Sequence, residues 1–169
     1  LDHDATFADP DKPIMFGDYM RPGLAPEDRA YEFIAEPSRL PKLFETYLDD
    51  FNSSSSKQMN LVFFMDAIEH ISRICRVIRQ PRGNALLVGL GGSGKQSLTR
   101  MASFMMDTKL SQIELSRGYG VNEFHEDIKK VCMMAGCEMK PVVFLFTDNQ
   151  IVKESFVEDI NGLLNAGDV

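Results

Sequence analysis

Apolar positions along this chain recur mostly at helical spacing, broken by short continuous apolar runs. Leu40, Leu43, Phe44, Tyr47, Leu48 and Phe51 fall on one face, and Ser38 is placed to cap a helix running through Phe51. A second set, Leu61, Phe64, Met65, Ile68, Ile71, Cys75 and Ile78, keeps the same period up to Gln80, with Asn60 as the cap. Leu98, Met101, Ala102 and Met105 make a third stripe. A fourth helix starts at Asn122, with Phe124, Ile128, Val131, Cys132 and Ala135 inward. A fifth begins near Glu154 and turns Phe156, Ile160, Leu163 and Leu164 inward, with Gly167 past its end. Between these lie three strand candidates, residues 85–88, 113–115 and 142–147. The last is continuously apolar, as expected of a strand covered on both faces. Strands alternating with helices predict an α/β fold with a parallel sheet.

The first 36 residues differ. Pro and Asp recur at Asp9-Pro10-Asp11-Lys12-Pro13, Arg21-Pro22-Gly23 and Ala25-Pro26, which predicts an extended connector. Its one apolar anchor is Ile14-Met15-Phe16, and residues 27–35 are expected to form a short helix stopped by Pro37. Residues 37–169 then form the main body, with Ser53 to Ser56 as a low-complexity hinge. The chain starts Leu1-Asp2-His3-Asp4, with neither a signal peptide nor an initiator Met, and reads as a fragment.

Composition narrows the function classes. With 169 residues, 44% hydrophobic and 25% charged, the chain matches an ordinary globular domain. Its net charge of −7 and lack of a basic cluster argue against a nucleic-acid partner. No apolar run reaches membrane-spanning length, so no membrane partner is expected. Cys75, Cys132 and Cys137 lack metal-ligand spacing and read as free structural thiols; His3, His70 and His125 are scattered.

Chemistry concentrates in Gly89-Leu90-Gly91-Gly92-Ser93-Gly94-Lys95, preceded by Ala85-Leu86-Leu87-Val88 and followed by the third helix. Strand, glycine-rich turn and helix make up the phosphate-binding P-loop pattern, here residues 89–96. Glycines let main-chain N–H groups close on phosphate oxygens, and Lys95 adds a full positive charge. The helix's first turn offers unpaired N–H groups, those of Gln96 and Ser97 among them, and its dipole favours an anion. Asp148 follows the apolar run directly, at the Walker B position that serves the Mg²⁺ shell; the expected Walker B strand spans 142–148.

Two positions depart from the pattern. Gln96 stands where Ser or Thr normally ligates Mg²⁺, and its longer, neutral arm must fold back for the amide oxygen to serve as a ligand. Asn149 stands where the AAA+ ATPases usually carry the Glu that activates water, and an amide cannot take that proton. Binding should therefore survive better than hydrolysis.

Residues 84–100 resemble the P-loop of the fourth AAA+ module of axonemal dynein heavy chains, as do Ala67-Ile68-Glu69-His70-Ile71-Ser72-Arg73-Ile74 and Phe144-Leu145-Phe146-Thr147-Asp148. The runs Glu154 to Ile160 and Leu163 to Gly167 continue the likeness, and Phe16-Gly17-Asp18-Tyr19 looks like the stretch leading into that module. The resemblance implies a P-loop NTPase (AAA+) parallel sheet flanked by helices, an incomplete large subdomain within a six-module motor ring. It implies ATP or ADP with Mg²⁺ at Gly89, Gly91, Gly92, Ser93, Gly94, Lys95, Gln96, Ser97 and Asp148, the metal near Gln96 and Asp148. Adenine is expected near residues 59–62, beside Leu61 and Val62. Expected partners are the neighbouring AAA+ modules, and microtubules and other dynein subunits through the full-length protein. The expected location is the cytoplasm and cytoskeleton, in the axoneme of a cilium or flagellum. Three readings stand at this point: a site that binds without cutting, a hydrolysing site, and a structural module whose site is empty.

Overall fold

The computed structural model describes residues 14–167 and divides the chain into two compact units, residues 1–106 and 107–169. The Asp9 to Pro13 part of the connector and His3 lie outside the described residues.

In the first unit, β1 (Phe16–Gly17) pairs antiparallel with β2 (Glu32–Phe33), Phe16 opposite Phe33. Three helices follow: α1 (Leu40–Ser54), α2 (Met65–Arg79) and α3 (Lys95–Met105). Their apolar stripes meet in one core: Leu40, Phe44, Tyr47 and Leu48 from α1, Ile68, Ile71, Ile74 and Cys75 from α2, and Met101, Ala102 and Met105 from α3. The stretch expected to be a connector contributes Met15 of its expected anchor to this core, and Tyr19 and Ile34 besides, while Ile14 and Phe16 of that anchor are exposed. Tyr19 is fully buried, its hydroxyl 2.6 Å from Ser72 Oγ, and its carbonyl accepts the Tyr47 hydroxyl at 2.8 Å. Asp18, also buried, pairs with Arg79 at the end of α2, whose guanidinium stacks 5.4 Å over the Tyr31 ring. Arg29 donates to the Met105 carbonyl at 2.7 Å, so a cation closes the C-terminal end of α3.

In the second unit, β3 (Lys109–Gln112) and β4 (Val142–Leu145) pair in parallel, joined through α4 (Val121–Gly136). A parallel pair needs such a crossover, so this is a βαβ unit and the architecture is α/β. After β4 comes a 3-10 turn, Asp148–Gln150, and then α5 (Ser155–Asn165). Phe124 of α4 stacks on Phe156 of α5, ring centroids 4.2 Å apart, and Ile113, Tyr119 and Ile128 surround them.

Several expectations require correction. The segment 27–35 is not a helix: after a 3-10 turn, Pro26–Asp28, the chain extends so that Glu32 and Phe33 can pair with β1. Ser38 lies within a 3-10 turn, Pro37–Arg39, and does not cap α1; Ser53 and Ser54 belong to α1 rather than to a hinge. Helix α2 starts at Met65, not after Asn60, which leaves Phe64 exposed while Phe63 is buried. The second strand lies at 109–112 rather than 113–115. Cys132, Ala135 and Leu164 face solvent instead of the core, and β4 is half-buried and ends at Leu145. The run 85–88 forms no ladder among the described residues, and Leu86 and Val88 are 89% and 85% exposed. Apolar character favours a strand there, but a strand exists only where a neighbour supplies its hydrogen bonds.

Candidate functional site

The loop at 89–95 sits at the start of α3, whose apolar face anchors it in the first unit's core. Gly92 and Gly94 hold φ of +77° and +79°, the left-handed region where a side chain is strained. A Cβ added at Gly91, Gly92 or Gly94 would meet no atom within 4 Å, so the loop faces open space. Gly94 is the residue before the helix, and the first intrahelical bond reaches it from Leu98 N–H at 2.8 Å. The N–H groups of Lys95, Gln96 and Ser97 precede that bond and have no carbonyl one turn back.

Lys95 does not extend away from the loop. Its ammonium donates to the carbonyls of Gly89 at 2.7 Å and Leu90 at 2.8 Å, and to Ser93 Oγ at 3.2 Å. An ammonium has three protons, and here the loop accepts all three. The sequence-predicted residues Gly89, Gly91, Gly92, Ser93, Gly94, Lys95, Gln96 and Ser97 are thus brought together around one cation and one helix N-terminus. The residue types suit a polyphosphate: a full charge, first-turn N–H groups without helical partners, and glycines whose Cβ positions meet nothing within 4 Å. Gln96 is exposed at the helix start. Leu61 packs against the first unit's core, whereas Val62 is exposed in the extended stretch before α2.

Asp148 belongs to the second unit. It opens the 3-10 turn after β4 and is exposed, as is Asn149. The turn is held from beneath by Gln150, 5% exposed. Gln150 Oε1 accepts the Thr147 N–H at 2.8 Å, and Gln150 Nε2 donates to the Ile113 carbonyl at 2.5 Å. The Thr147 hydroxyl lies 2.5 Å from Asn149 Oδ1 and 2.9 Å from Gln150 Oε1; having one proton, it donates to one at a time. Sequence reasoning passed over Thr147 and Gln150, and only a glutamine two residues after a strand-ending acid marked the place. No group of three or more His, Cys, Asp or Glu suited to a metal occurs among the described residues. A divalent cation would share its shell with phosphate oxygens and water, as Mg²⁺ commonly does. Among the described residues no helix is long and apolar enough to cross a membrane.

Elsewhere in the second unit, the Tyr119 hydroxyl donates to Asp127 Oδ2 at 2.7 Å, and Lys130 reaches Asp127 Oδ1 at 2.8 Å. Burial and the carboxylate hold the Tyr119 hydroxyl well above its ordinary pKa. His125 Nε2 lies 2.8 Å from Asp159 Oδ2, linking α4 to α5. Cys75 is fully buried and its thiol is held well above the ordinary range by desolvation. All three cysteines are free: Cys75 is buried, as its helical stripe predicts, whereas Cys132, expected inward, is exposed, as is Cys137.

Residues 59–169 match the family model described as "P-loop containing dynein motor region D4". The chain is 56% identical over 158 residues to human dynein axonemal heavy chain 6, covering 94% of this chain. It is 51% identical over 156 residues to mouse dynein axonemal heavy chain 3 and 49% identical over 160 residues to human dynein axonemal heavy chain 1, covering 92% and 95% of this chain. In each case it spans 4% of the relative's length. The glycine loop, its lysine and the acid-bearing turn all fall inside the matched region, and the chain belongs to the P-loop-containing dynein motor region D4 family, as a segment akin to axonemal dynein heavy chains.

Proposed function

We propose that this segment is the phosphate-binding part of a regulatory AAA+ module in an axonemal dynein motor, which holds ATP or ADP with Mg²⁺ and cuts it slowly or not at all. The observation that carries the reading is the Lys95 ammonium centred among Gly89, Leu90 and Ser93 at a helix N-terminus. Gly91, Gly92, Ser93 and Gly94 supply the cradle, and the N–H groups of Gln96 and Ser97 extend it. Gln96 and Asp148 carry the oxygens suited to the metal shell, and the stretch at Leu61 and Val62 suits the adenine. Bound Mg²⁺ neutralises phosphate charge; the chain's own residues orient and hold. The run 85–88 then belongs to a larger parallel sheet completed by neighbouring parts of the heavy chain.

Slow cleavage rests on Asn149. Its amide has no basicity, and general-base help is worth about 10²–10⁴-fold. The context proposed is an axoneme of a cilium or flagellum, with the neighbouring modules, other dynein subunits and, through the whole motor, microtubules as partners. A purely structural module is the second reading, favoured by the way the loop itself satisfies all three Lys95 protons.

Single-turnover ATP cleavage and nucleotide binding on the intact heavy chain test the proposal. The component of binding removed by Lys95→Ala should release phosphate slowly, at a rate unchanged by Asn149→Ala. Rapid cleavage lost in Lys95→Ala but kept in Asn149→Ala contradicts slow cutting. Binding that is indifferent to Lys95→Ala establishes the structural reading instead.

A further inference from the structure

Gln150 occupies a place that the parallel ladder reserves for a backbone bond. Lys109 N–H donates to the Pro141 carbonyl at 2.9 Å, one residue before its register partner Val142. In a parallel pair, residues 109, 111 and 113 then do the bonding on β3's side. The next rung would therefore run from Thr147 N–H to the Ile113 carbonyl. Both groups end on Gln150 instead: Oε1 takes the proton of Thr147 N–H, and Nε2 gives one to the Ile113 carbonyl. The side-chain carboxamide is inserted where a peptide rung belongs, buried, with donor and acceptor ends both used. Its backbone is tied too, since Gln150 N–H donates to the Thr147 carbonyl at 2.9 Å.

The consequence falls on the two residues in between. Asp148 and Asn149 are exposed and bracketed by Thr147 and Gln150, the two residues that this buried amide ties together. We propose that Gln150 is a positioning residue for Asp148: by replacing the last rung between Ile113 and Thr147, it ends β4 and fixes where Asp148 presents its carboxylate. This rests on the reading of Asp148 as a metal-shell residue.

The test uses the intact heavy chain, ADP and ATP as probes, and Gln150→Met, which keeps length and apolar bulk but removes both hydrogen-bonding ends. The quantity read is the tightening of Lys95-dependent nucleotide binding by Mg²⁺ relative to EDTA. Partners that orient a metal's ligands are typically worth about 10–100-fold in metal affinity. Gln150→Met should reduce the Mg²⁺-dependent tightening by about 10-fold or more, leave metal-free binding within about 2-fold, and leave the Asp148→Asn variant no weaker when combined with it. An unchanged Mg²⁺ effect in Gln150→Met, while Asp148→Asn abolishes it, overturns the inference alone. So does equal weakening with and without Mg²⁺, which marks Gln150 as a general support. A wild-type Mg²⁺ effect that Asp148→Asn leaves intact overturns the reading of Asp148 beneath it.

Discussion

The hydroxyls of Tyr19 and Ser72 offer a prediction whose sign follows from counting protons. Ser72 Oγ donates to the Ile68 carbonyl at 2.7 Å, so its one proton is used. The 2.6 Å contact with the Tyr19 hydroxyl must then be a donation from tyrosine to serine. Both side chains are buried, Tyr19 completely. Tyr19→Phe removes the donor and leaves Ser72 bonded to Ile68, a loss of about 0.5–1.5 kcal/mol for one neutral hydrogen bond. Ser72→Ala strands the tyrosine O–H in a core without an acceptor, which costs about 1–3 kcal/mol. In the double variant nothing is stranded, so Tyr19→Phe added to Ser72→Ala should recover stability. Urea unfolding of the chain, followed by far-UV circular dichroism and tyrosine fluorescence, measures all three. A greater loss in Tyr19→Phe than in Ser72→Ala, or strict additivity in the pair, refutes the assignment of donor and acceptor.

Two further outcomes follow from the cores. Burial pushes the Tyr47 hydroxyl up to about 12, above its ordinary value near 10, and it donates to the Tyr19 carbonyl at 2.8 Å. The unfolded chain therefore loses this proton first, so stability is full below about pH 10 and declines as pH rises towards about 12; Tyr47→Phe should flatten that decline in a pH series of urea midpoints. In the second unit, Phe124→Ala removes a fully buried ring stacked on Phe156 at 4.2 Å and should cost about 3–5 kcal/mol. Hydrogen exchange should then accelerate through α4 and α5; unchanged protection there contradicts the packing.

Legibility in the sequence followed the range of the interactions concerned. The stripes of α1, α3 and the first half of α4 were readable because burial repeats every three or four residues within one element. The glycine loop was readable because its backbone angles, at Gly92 and Gly94, are demanded locally. Pairing was not readable. Tyr31-Glu32-Phe33-Ile34 shows helical and extended character alike, and what decides is Phe16, paired with Phe33 from seventeen residues away on the other strand. The run 85–88 has strand composition, but composition does not supply a neighbour. Gln150 was hidden for the same reason: its worth lies in a carbonyl at Ile113, distant in sequence. The axonemal dynein likeness did carry over to the family, because it rested on ordered residues across most of the chain rather than on the loop alone.

The central claim is that the loop around Lys95 grips a polyphosphate in the working protein. The direct measurement is a structure of the intact heavy chain in Mg-ATP, wild type beside Lys95→Ala. The account predicts a nucleotide with countable phosphates against Gly91 to Ser97, the ammonium moved from the Gly89 and Leu90 carbonyls onto phosphate oxygens, and no nucleotide there in the variant. A loop that stays closed on its own lysine at saturating Mg-ATP contradicts it.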